Sequence, residues 1–215
     1  ILPEFREFER MSTTAINATL GPKMDGYLER FGKRVQDVGI RVAPYTIHSN
    51  GGLMPVEMVR AAPVRTCVSG PAAGVVGAAE VGRAAGLPHL VTFDVGGTST
   101  DVSLVENATP LFTSSRLVAG YPVKTPMVDI HVIGAGGGSI AALDDAGALK
   151  VGPASAGADP GPVAYRRGGE EVTLTDANLV LGRLDPTDLL GGRVTMDCEA
   201  AREAIAAQIA KPLGL

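Results

Sequence analysis

One segment of the chain combines two carboxylates with a turn of glycines and hydroxyls. Asp94 ends a short apolar run and Asp101 opens the next, so a carboxylate stands on each side of the turn. Glycines have no Cβ, and their backbone can bend tightly and bring N–H groups close to an anion. Asp94 can hold Mg²⁺, which prefers oxygen ligands. The pattern predicts a phosphate-gripping turn for ATP. Its candidate ligands are Gly96, Gly97, Thr98, Ser99 and Thr100.

The same residues also fit an ordinary hairpin with a glycine-rich turn. Val91, Phe93 and Val95 alternate with polar residues before the turn, and Val102 and Leu104 resume the alternation after it. This period is typical of β-strands. The second aspartate and the strands on both sides favour phosphate binding over a plain turn, and they make the two aspartates the candidate catalytic residues.

A second glycine-rich run, Gly134-Ala-Gly-Gly-Gly-Ser139, follows a predicted strand. It departs from the dinucleotide fingerprint G-x-G-x-x-G because Ser139 occupies the last position. The chain also lacks the G-x-x-x-x-G-K-[ST] motif of P-loop proteins. Gly136, Gly137 and Gly138 remain candidate cofactor-binding residues, because glycine lets the backbone approach either a phosphate or an adjacent loop.

Asp129 and His131 stand two positions apart on a predicted strand, so their side chains are expected to share one face. A carboxylate and an imidazole together provide half of a site for Zn or Mn. The alternative is a hydrogen-bonded pair that stiffens the strand. Because two ligands are only half of a metal site, the sequence favours this alternative.

Composition restricts the function further. The 215 residues suffice for one large domain or two small ones, and the net charge is −4 without a long basic block. Neither nucleic acid nor an anionic membrane surface is therefore an expected partner, and no apolar run approaches the roughly 20 residues that span a bilayer. Cys67 and Cys198 form no ligand cluster and are typical of reduced cytoplasmic thiols. Because the sequence starts without Met, we expect a fragment of a longer protein.

Apolar periodicity predicts alternating helices and strands, an α/β fold. Ser69 and Thr175 are the expected N-caps of two helices, and the helix that begins near Ser69 is apolar nearly all round, which predicts its complete burial. The predicted helices are 4–36 (two helices broken at Gly21–Pro22), 55–60, 69–85, 173–178 and 199–209; the predicted strands are 40–47, 91–95, 102–105, 110–117, 127–133, 140–143 and 149–151, with turns at 48–52 and 144–147.

Five motifs in a fixed order resemble the hydantoinase A/5-oxoprolinase family, which includes N-methylhydantoinases, 5-oxoprolinases and acetone or acetophenone carboxylase subunits. They are SGPAAGVVGA (69–78), FDVGGTSTD (93–101), GAGGGSIA (134–141), SAGADPGP (155–162) and TDANLVLGRLDP (175–186). Together they extend over most of the chain, so the resemblance is specific for the family but not for the substrate.

The resemblance implies an actin-like ATPase fold, in which two duplicated α/β domains close on ATP. Residues 1–68 would lead into the second of these domains, and residues 69–215 would form it, incomplete at its C-terminal end. The aspartate-flanked turn would be the second of two phosphate-binding hairpins, with Asp94 directed at Mg²⁺ and Asp101 or Thr98 orienting the γ-phosphoryl group. The family's first hairpin and its adenine-contacting segment have no counterpart in this sequence, so the fragment alone is expected to be inactive.

The function that the resemblance implies first is ATP-dependent hydrolysis of a small cyclic amide, a hydantoin or 5-oxoproline, through a phosphorylated intermediate. A hydantoinase B-type subunit or fused domain would be the partner. The alternatives are a ketone carboxylase subunit, which requires bicarbonate, and a non-enzymatic actin-like scaffold. The long glycine-rich motifs argue against the scaffold, and substrate-stimulated ATP turnover would exclude it.

Overall fold

The computed structural model describes residues 1–187, 191–192 and 195–215, which form a mixed α/β fold as predicted. The helices are α1 (Glu7–Asp37), α2 (Val56–Ala61), α3 (Ser69–Ala84), α4 (Leu174–Val180), α5 (Cys198–Ile205) and α6 (Lys211–Leu213), with 3₁₀ turns at Pro63–Thr66 and Val163–Tyr165 and a π-helical turn at Ala206–Ala210. The strands are β1 (Tyr45–Ile47), β2 (Leu53–Pro55), β3 (Leu90–Val95), β4 (Thr100–Glu106), β5 (Thr109–Pro110), β6 (Phe112–Val118), β7 (Tyr121–Val128), β8 (Ile130–Ile133), β9 (Ser139–Leu143) and β10 (Leu149–Ser155).

Most strands pair with a neighbour in sequence. β1 and β2, β6 and β7, and β9 and β10 form antiparallel pairs. β4 pairs with both of its sequence neighbours, β3 and β5, and in addition with β8. The strand that leaves the aspartate-flanked turn is thus held by several partners.

The chain divides into two units. Unit 1 contains residues 1–92 and 103–130, and unit 2 contains residues 93–102 and 131–215. Both aspartates of the turn and the glycine-rich run 134–139 therefore belong to unit 2. The domain boundary at residues 68 and 69 refers to the complete subunit and stays a prediction.

Each unit has its own buried apolar residues. In unit 1, one face of α3 packs against residues of β4, β7 and β8. The buried members of this cluster are Ala72, Val75, Ala79, Val105, Val128 and Ile130. Two smaller clusters of unit 1 contain Leu28, Met54 and Val59, and Val64, Val123 and Met127. In unit 2, α4 and α5 pack together through Ala164, Leu179, Met196 and Ala201.

The predicted break at Gly21–Pro22 is wrong, because α1 runs through both residues. Proline inside a helix removes one hydrogen bond and crowds the preceding turn. Tertiary contacts hold the helix on either side of it. Thr13 is buried and its Oγ1 accepts the Lys124 N–H at 3.0 Å, while Leu28 packs with Met54 and Val59.

Two predicted strands also need correction. The strand expected at 40–47 is confined to β1, which begins directly after Pro44, a residue without an N–H to donate. The strand expected at 127–133 is divided into β7 and β8 by Asp129. The Asp129 N–H donates to the Leu111 carbonyl at 2.8 Å and its carbonyl accepts the Ser103 hydroxyl at 2.6 Å, so its backbone serves other partners.

The helix starts differ from those predicted. Ser69 is the first residue of α3, and the N-cap is Val68 in the left-handed region with φ 57°. α3 buries one stripe only, since Val81 is 71% exposed, so the expectation of complete burial is wrong for this structure. α4 is capped by Thr173 and not by Thr175.

The remaining elements agree with the prediction to within a few residues: α2, α5 with its π-helical turn, the hairpins around 96–99 and 144–148, and the turn at 48–52. None of the described helices has the length and apolarity needed to cross a bilayer.

The continuity of α1 yields a stability prediction. Pro22→Ala restores an N–H donor to the exposed face of the helix and should raise the free energy of unfolding by about 1–3 kcal/mol. Urea unfolding measures the change. Lys23→Ala at the neighbouring exposed position is the control, expected within about 0.5 kcal/mol of the parent. Equal stability of the Pro22→Ala variant and the parent would show that the proline does not strain α1.

Candidate phosphate-binding site

The candidate site is built on the tip of the β3–β4 hairpin. The Gly96 N–H donates to the Ser99 carbonyl at 2.8 Å, which closes the turn around Gly97 and Thr98. Continuing this antiparallel register along the two strands places Asp94 opposite Asp101. The sequence prediction of a hairpin with one aspartate on each strand is confirmed.

The placement of the two aspartates decides which ion they could hold. Residues directly opposite in an antiparallel pair have Cβ atoms about 5 Å apart on the same face. Asp94 is exposed and Asp101 is half-buried. Carboxylate oxygens on one face are ligands that suit Mg²⁺. These two carboxylates therefore fit the ion that the sequence predicts.

The tip of the turn presents hydrogen-bond donors that have no partner among the described residues. Within the described part of the chain, the N–H groups of Gly97 and Thr98 and the hydroxyls of Thr98 and Ser99 make no hydrogen bond. Gly97 and Thr98 are exposed, and a Cβ placed on Gly97 would meet no atom within 4 Å. Unpartnered donors in open space are what an anion needs from a turn.

The glycine-rich run 134–139 packs directly behind this turn, within unit 2. The Gly137 N–H donates to the Gly96 carbonyl at 2.9 Å, and the Gly138 N–H donates to the Gly97 carbonyl at 2.6 Å. A Cβ on Gly136 would lie 2.6 Å from both the Gly96 oxygen and the Ser99 nitrogen. Of the two roles left open from sequence, close approach to an adjacent loop is the one that the structure displays.

Two further donors near the turn already have acceptors within unit 2. The Gly136 N–H donates to Ser139 Oγ at 2.8 Å, and the buried Thr100 hydroxyl donates to the Ala135 carbonyl at 2.6 Å. Gly137, Gly138 and the Thr100 hydroxyl thus connect the loop with the hairpin, whereas the Gly136 N–H is used within the loop. That any of these residues contacts a nucleotide stays a prediction. The hydroxyls of Thr98 and Ser99, by contrast, have no hydrogen-bond partner among the described residues and are available to a ligand.

Sequence reasoning missed the support that α4 gives to the loop. The Thr175 N–H and hydroxyl both donate to the Gly137 carbonyl at 2.8 Å. Thr173 and Asp176 form a capping box at the start of α4. The spacing Thr-x-x-Asp was the available signal, because a capping box fixes the N-cap at its first residue and leaves Thr175 for another role.

Asp129 and His131 are not placed as predicted. His131 lies in β8, but Asp129 lies in the break before it, so the argument that the two share a strand face does not apply. Both side chains are exposed. Among residues 1–187, 191–192 and 195–215, no group of three or more His, Cys, Asp or Glu could hold a metal ion. Zn or Mn binding by this pair stays a prediction.

Comparison with known sequences places the chain in a family. The hydantoinase/oxoprolinase family profile matches residues 10–215. The caprolactamase subunit alpha of Pseudomonas jessenii is 43% identical over 215 residues, which are all of this chain and 31% of that protein. The 5-oxoprolinase 1 of Arabidopsis thaliana is 40% identical over 188 residues, 86% of this chain and 14% of its own length.

Comparison with solved structures agrees. The crystal structure of the ATP-dependent caprolactamase from Pseudomonas jessenii matches all of this chain with a TM-score of 0.81, 42% identity and 31% coverage of its own chain. The nucleotide-free structure of acetone carboxylase matches 99% of this chain with a TM-score of 0.82, 33% identity and 30% coverage. The chain thus spans less than a third of the length of these relatives. On sequence and fold together, it belongs to the hydantoinase/oxoprolinase family.

Proposed function

We propose that this chain is part of a subunit that couples ATP hydrolysis to the opening of a cyclic amide, and that the 96–99 turn holds the phosphates. The observation that carries the proposal is the hairpin geometry. Asp94 and Asp101 oppose each other beneath a tip whose N–H and hydroxyl donors have no partner in the described part of the chain. Relatives named caprolactamase and 5-oxoprolinase support the cyclic-amide substrate.

In this proposal the complete subunit has the actin-like ATPase architecture, and this chain contributes one of its two phosphate-binding hairpins. A hairpin whose tip projects donors suits that role, because backbone N–H groups can surround phosphate oxygens from one side. The second hairpin and the adenine-contacting segment would come from the rest of the subunit, since this chain covers only 31% of the matched caprolactamase subunit.

ATP bound with its divalent cation would supply the γ-phosphoryl group for the amide oxygen, with ADP as the leaving group, so that water can attack the ring carbon, the ring C–N bond breaks and phosphate is released. The chain's own residues would bind the phosphates and orient the transferred group. The N–H groups of Gly97 and Thr98 and the hydroxyls of Thr98 and Ser99 donate to phosphate oxygens. Asp94 would hold Mg²⁺, and Asp101 would orient the γ-phosphoryl group from the neighbouring strand. Catalysis of phosphoryl transfer rests mostly on such positioning and charge neutralisation.

The proposal includes a partner. The caprolactamase relative is named as an alpha subunit, which supports an assembly with at least one further subunit. We propose a hydantoinase B-type subunit or fused domain that completes the ring opening on the phosphorylated substrate. A cytoplasmic location fits ATP as the co-substrate and is proposed with it.

A second candidate function is ATP-dependent carboxylation of a ketone. The structural match to acetone carboxylase supports it, since its TM-score of 0.82 is as high as the 0.81 of the caprolactamase. The two functions share the phosphoryl-transfer step and differ in the co-substrate. Only the carboxylase requires bicarbonate to form product.

The first prediction separates these functions. ATP hydrolysis by the complete subunit with its partner should be stimulated by caprolactam, 5-oxoproline or a hydantoin in bicarbonate-free buffer. Acetone with and without bicarbonate is the comparison. Stimulation by acetone alone among these compounds would move the protein to the carboxylases, and turnover that no compound changes would contradict both functions.

A second prediction concerns the opposed carboxylates. Asp94→Asn keeps the shape but removes one charge, so kcat/KM for Mg·ATP should fall by about 10²-fold. The thermal unfolding midpoint should stay close to that of the parent, because Asp94 is exposed. Asp145→Asn, on an exposed turn of the same unit, is the matched control and should change neither quantity. Normal turnover by the Asp94→Asn variant would contradict the assignment of this aspartate.

A third prediction uses the difference between two glycines. A Cβ is free of contacts at Gly97 but collides with backbone at Gly136. Gly97→Val should therefore leave the unfolding midpoint unchanged and raise KM for ATP by about tenfold or more, since the side chain occupies the space of the phosphate. Gly136→Ala should lower the unfolding midpoint and weaken ATP binding together. Unchanged ATP affinity in the Gly97→Val variant would exclude the tip as the phosphate site.

A further inference from the structure

One backbone carbonyl behind the turn receives two hydrogen bonds from a single residue. The N–H and the hydroxyl of Thr175 both donate to the Gly137 carbonyl at 2.8 Å. A carbonyl oxygen has two lone pairs, so this acceptor is fully used. The Gly137 peptide is therefore fixed on its carbonyl side by α4.

The other side of Gly137 faces the phosphate turn. Its N–H donates to the Gly96 carbonyl at 2.9 Å, and the neighbouring Gly138 N–H donates to the Gly97 carbonyl at 2.6 Å. A Cβ on Gly137 would lie 3.0 Å from Thr175 Oγ1. The loop thus connects Thr175 on one side with the turn on the other through main-chain atoms in direct contact.

Thr175 is itself held rigidly. It is 9% exposed, and it stands in the first turn of α4 beside Asp176, which is fully buried. The Asp176 carboxylate accepts the Thr173 N–H at 2.8 Å, the Thr173 hydroxyl at 2.7 Å and the Ala164 N–H at 2.8 Å. A buried carboxylate with three donors resists displacement, and it fixes the helix start from which Thr175 reaches the loop.

We propose that Thr175 is a positioning residue for nucleotide binding, which acts by orienting the Gly137 peptide and through it the 96–99 turn. Thr175 does not touch the nucleotide. The proposal rests on the proposed function, because it assigns the residue to the phosphate site described above. It predicts that the hydroxyl matters for ATP affinity more than for turnover at saturation, since the reacting groups themselves are unchanged.

The test is a pair of substitutions in the complete subunit with its partner. Thr175→Val has nearly the same shape and keeps the N–H bond to Gly137, but it lacks the hydroxyl. KM for ATP should rise by about three- to tenfold with kcat within about twofold of the parent, as expected for one lost hydrogen bond. Thr175→Ser retains the hydroxyl and should restore KM. Thr187→Val is the matched control, because Thr187 is an exposed threonine of unit 2 whose hydroxyl bonds to Asp185.

A second readout is independent of activity. Hydrogen–deuterium exchange followed by mass spectrometry should show faster exchange in peptides covering 134–141 in Thr175→Val, and parental exchange in Thr175→Ser. If Thr175→Val lowers the yield of folded protein, Thr175→Ala replaces it and is evaluated by the same criteria. Unchanged KM and unchanged exchange would overturn the positioning role, and so would a loss confined to kcat. Absence of ATP turnover in the parent protein would instead contradict the proposed function.

Discussion

The candidate site depends on a close approach between two stretches of backbone that only glycine permits. The Cα of Gly136 lies so near the 96–99 turn that a Cβ would come within 2.6 Å of the Gly96 oxygen. The same constraint recurs in unit 2, where a Cβ on Gly152 would lie 2.2 Å from the Gly134 oxygen and a Cβ on Gly169 would lie 1.9 Å from the Gly161 oxygen. Main-chain contacts therefore hold these loops together, and the many glycines of the sequence serve packing as much as turning.

This arrangement separates the groups that support the turn from the groups that can meet a ligand. The Gly137 and Gly138 N–H groups of the loop donate to the Gly96 and Gly97 carbonyls of the turn. These carbonyl oxygens would repel a phosphate, and the hydrogen bonds hold them on the side of the loop. The N–H groups at the tip stay without partners in the described part of the chain. Donors fixed in advance stabilise charge without reorganising, which is the condition for electrostatic catalysis. The hydroxyls divide in the same way, with Thr100 turned to the loop and Thr98 left at the tip.

The hairpin is predictable from the sequence because its signals are local. Alternating apolar residues, paired glycines and flanking aspartates all lie within one short segment. The role of Gly136 is not predictable in this way, because its contact partners stand far earlier in the chain and a run of glycines carries no side-chain pattern. Thr175 was misassigned for a related reason, since its partner is a distant carbonyl. The continuity of α1 through Pro22 reflects tertiary packing that outweighs a strong local signal.

Because the candidate site is built from backbone groups, the residues that determine substrate specificity are expected to lie elsewhere. Proteins named for a lactam and for a ketone share the backbone of this region at nearly equal TM-scores, so its geometry does not by itself distinguish the two substrates. In the proposed function, the hairpin and its supporting loop perform the step that both chemistries need, which is holding the phosphates. Side chains that select the ring or the ketone would then lie away from the 96–99 turn and the 134–139 run. Substitutions of the glycines in these loops should therefore reduce ATP turnover by the same factor with every substrate. Substitutions that change substrate specificity should lie elsewhere in the protein.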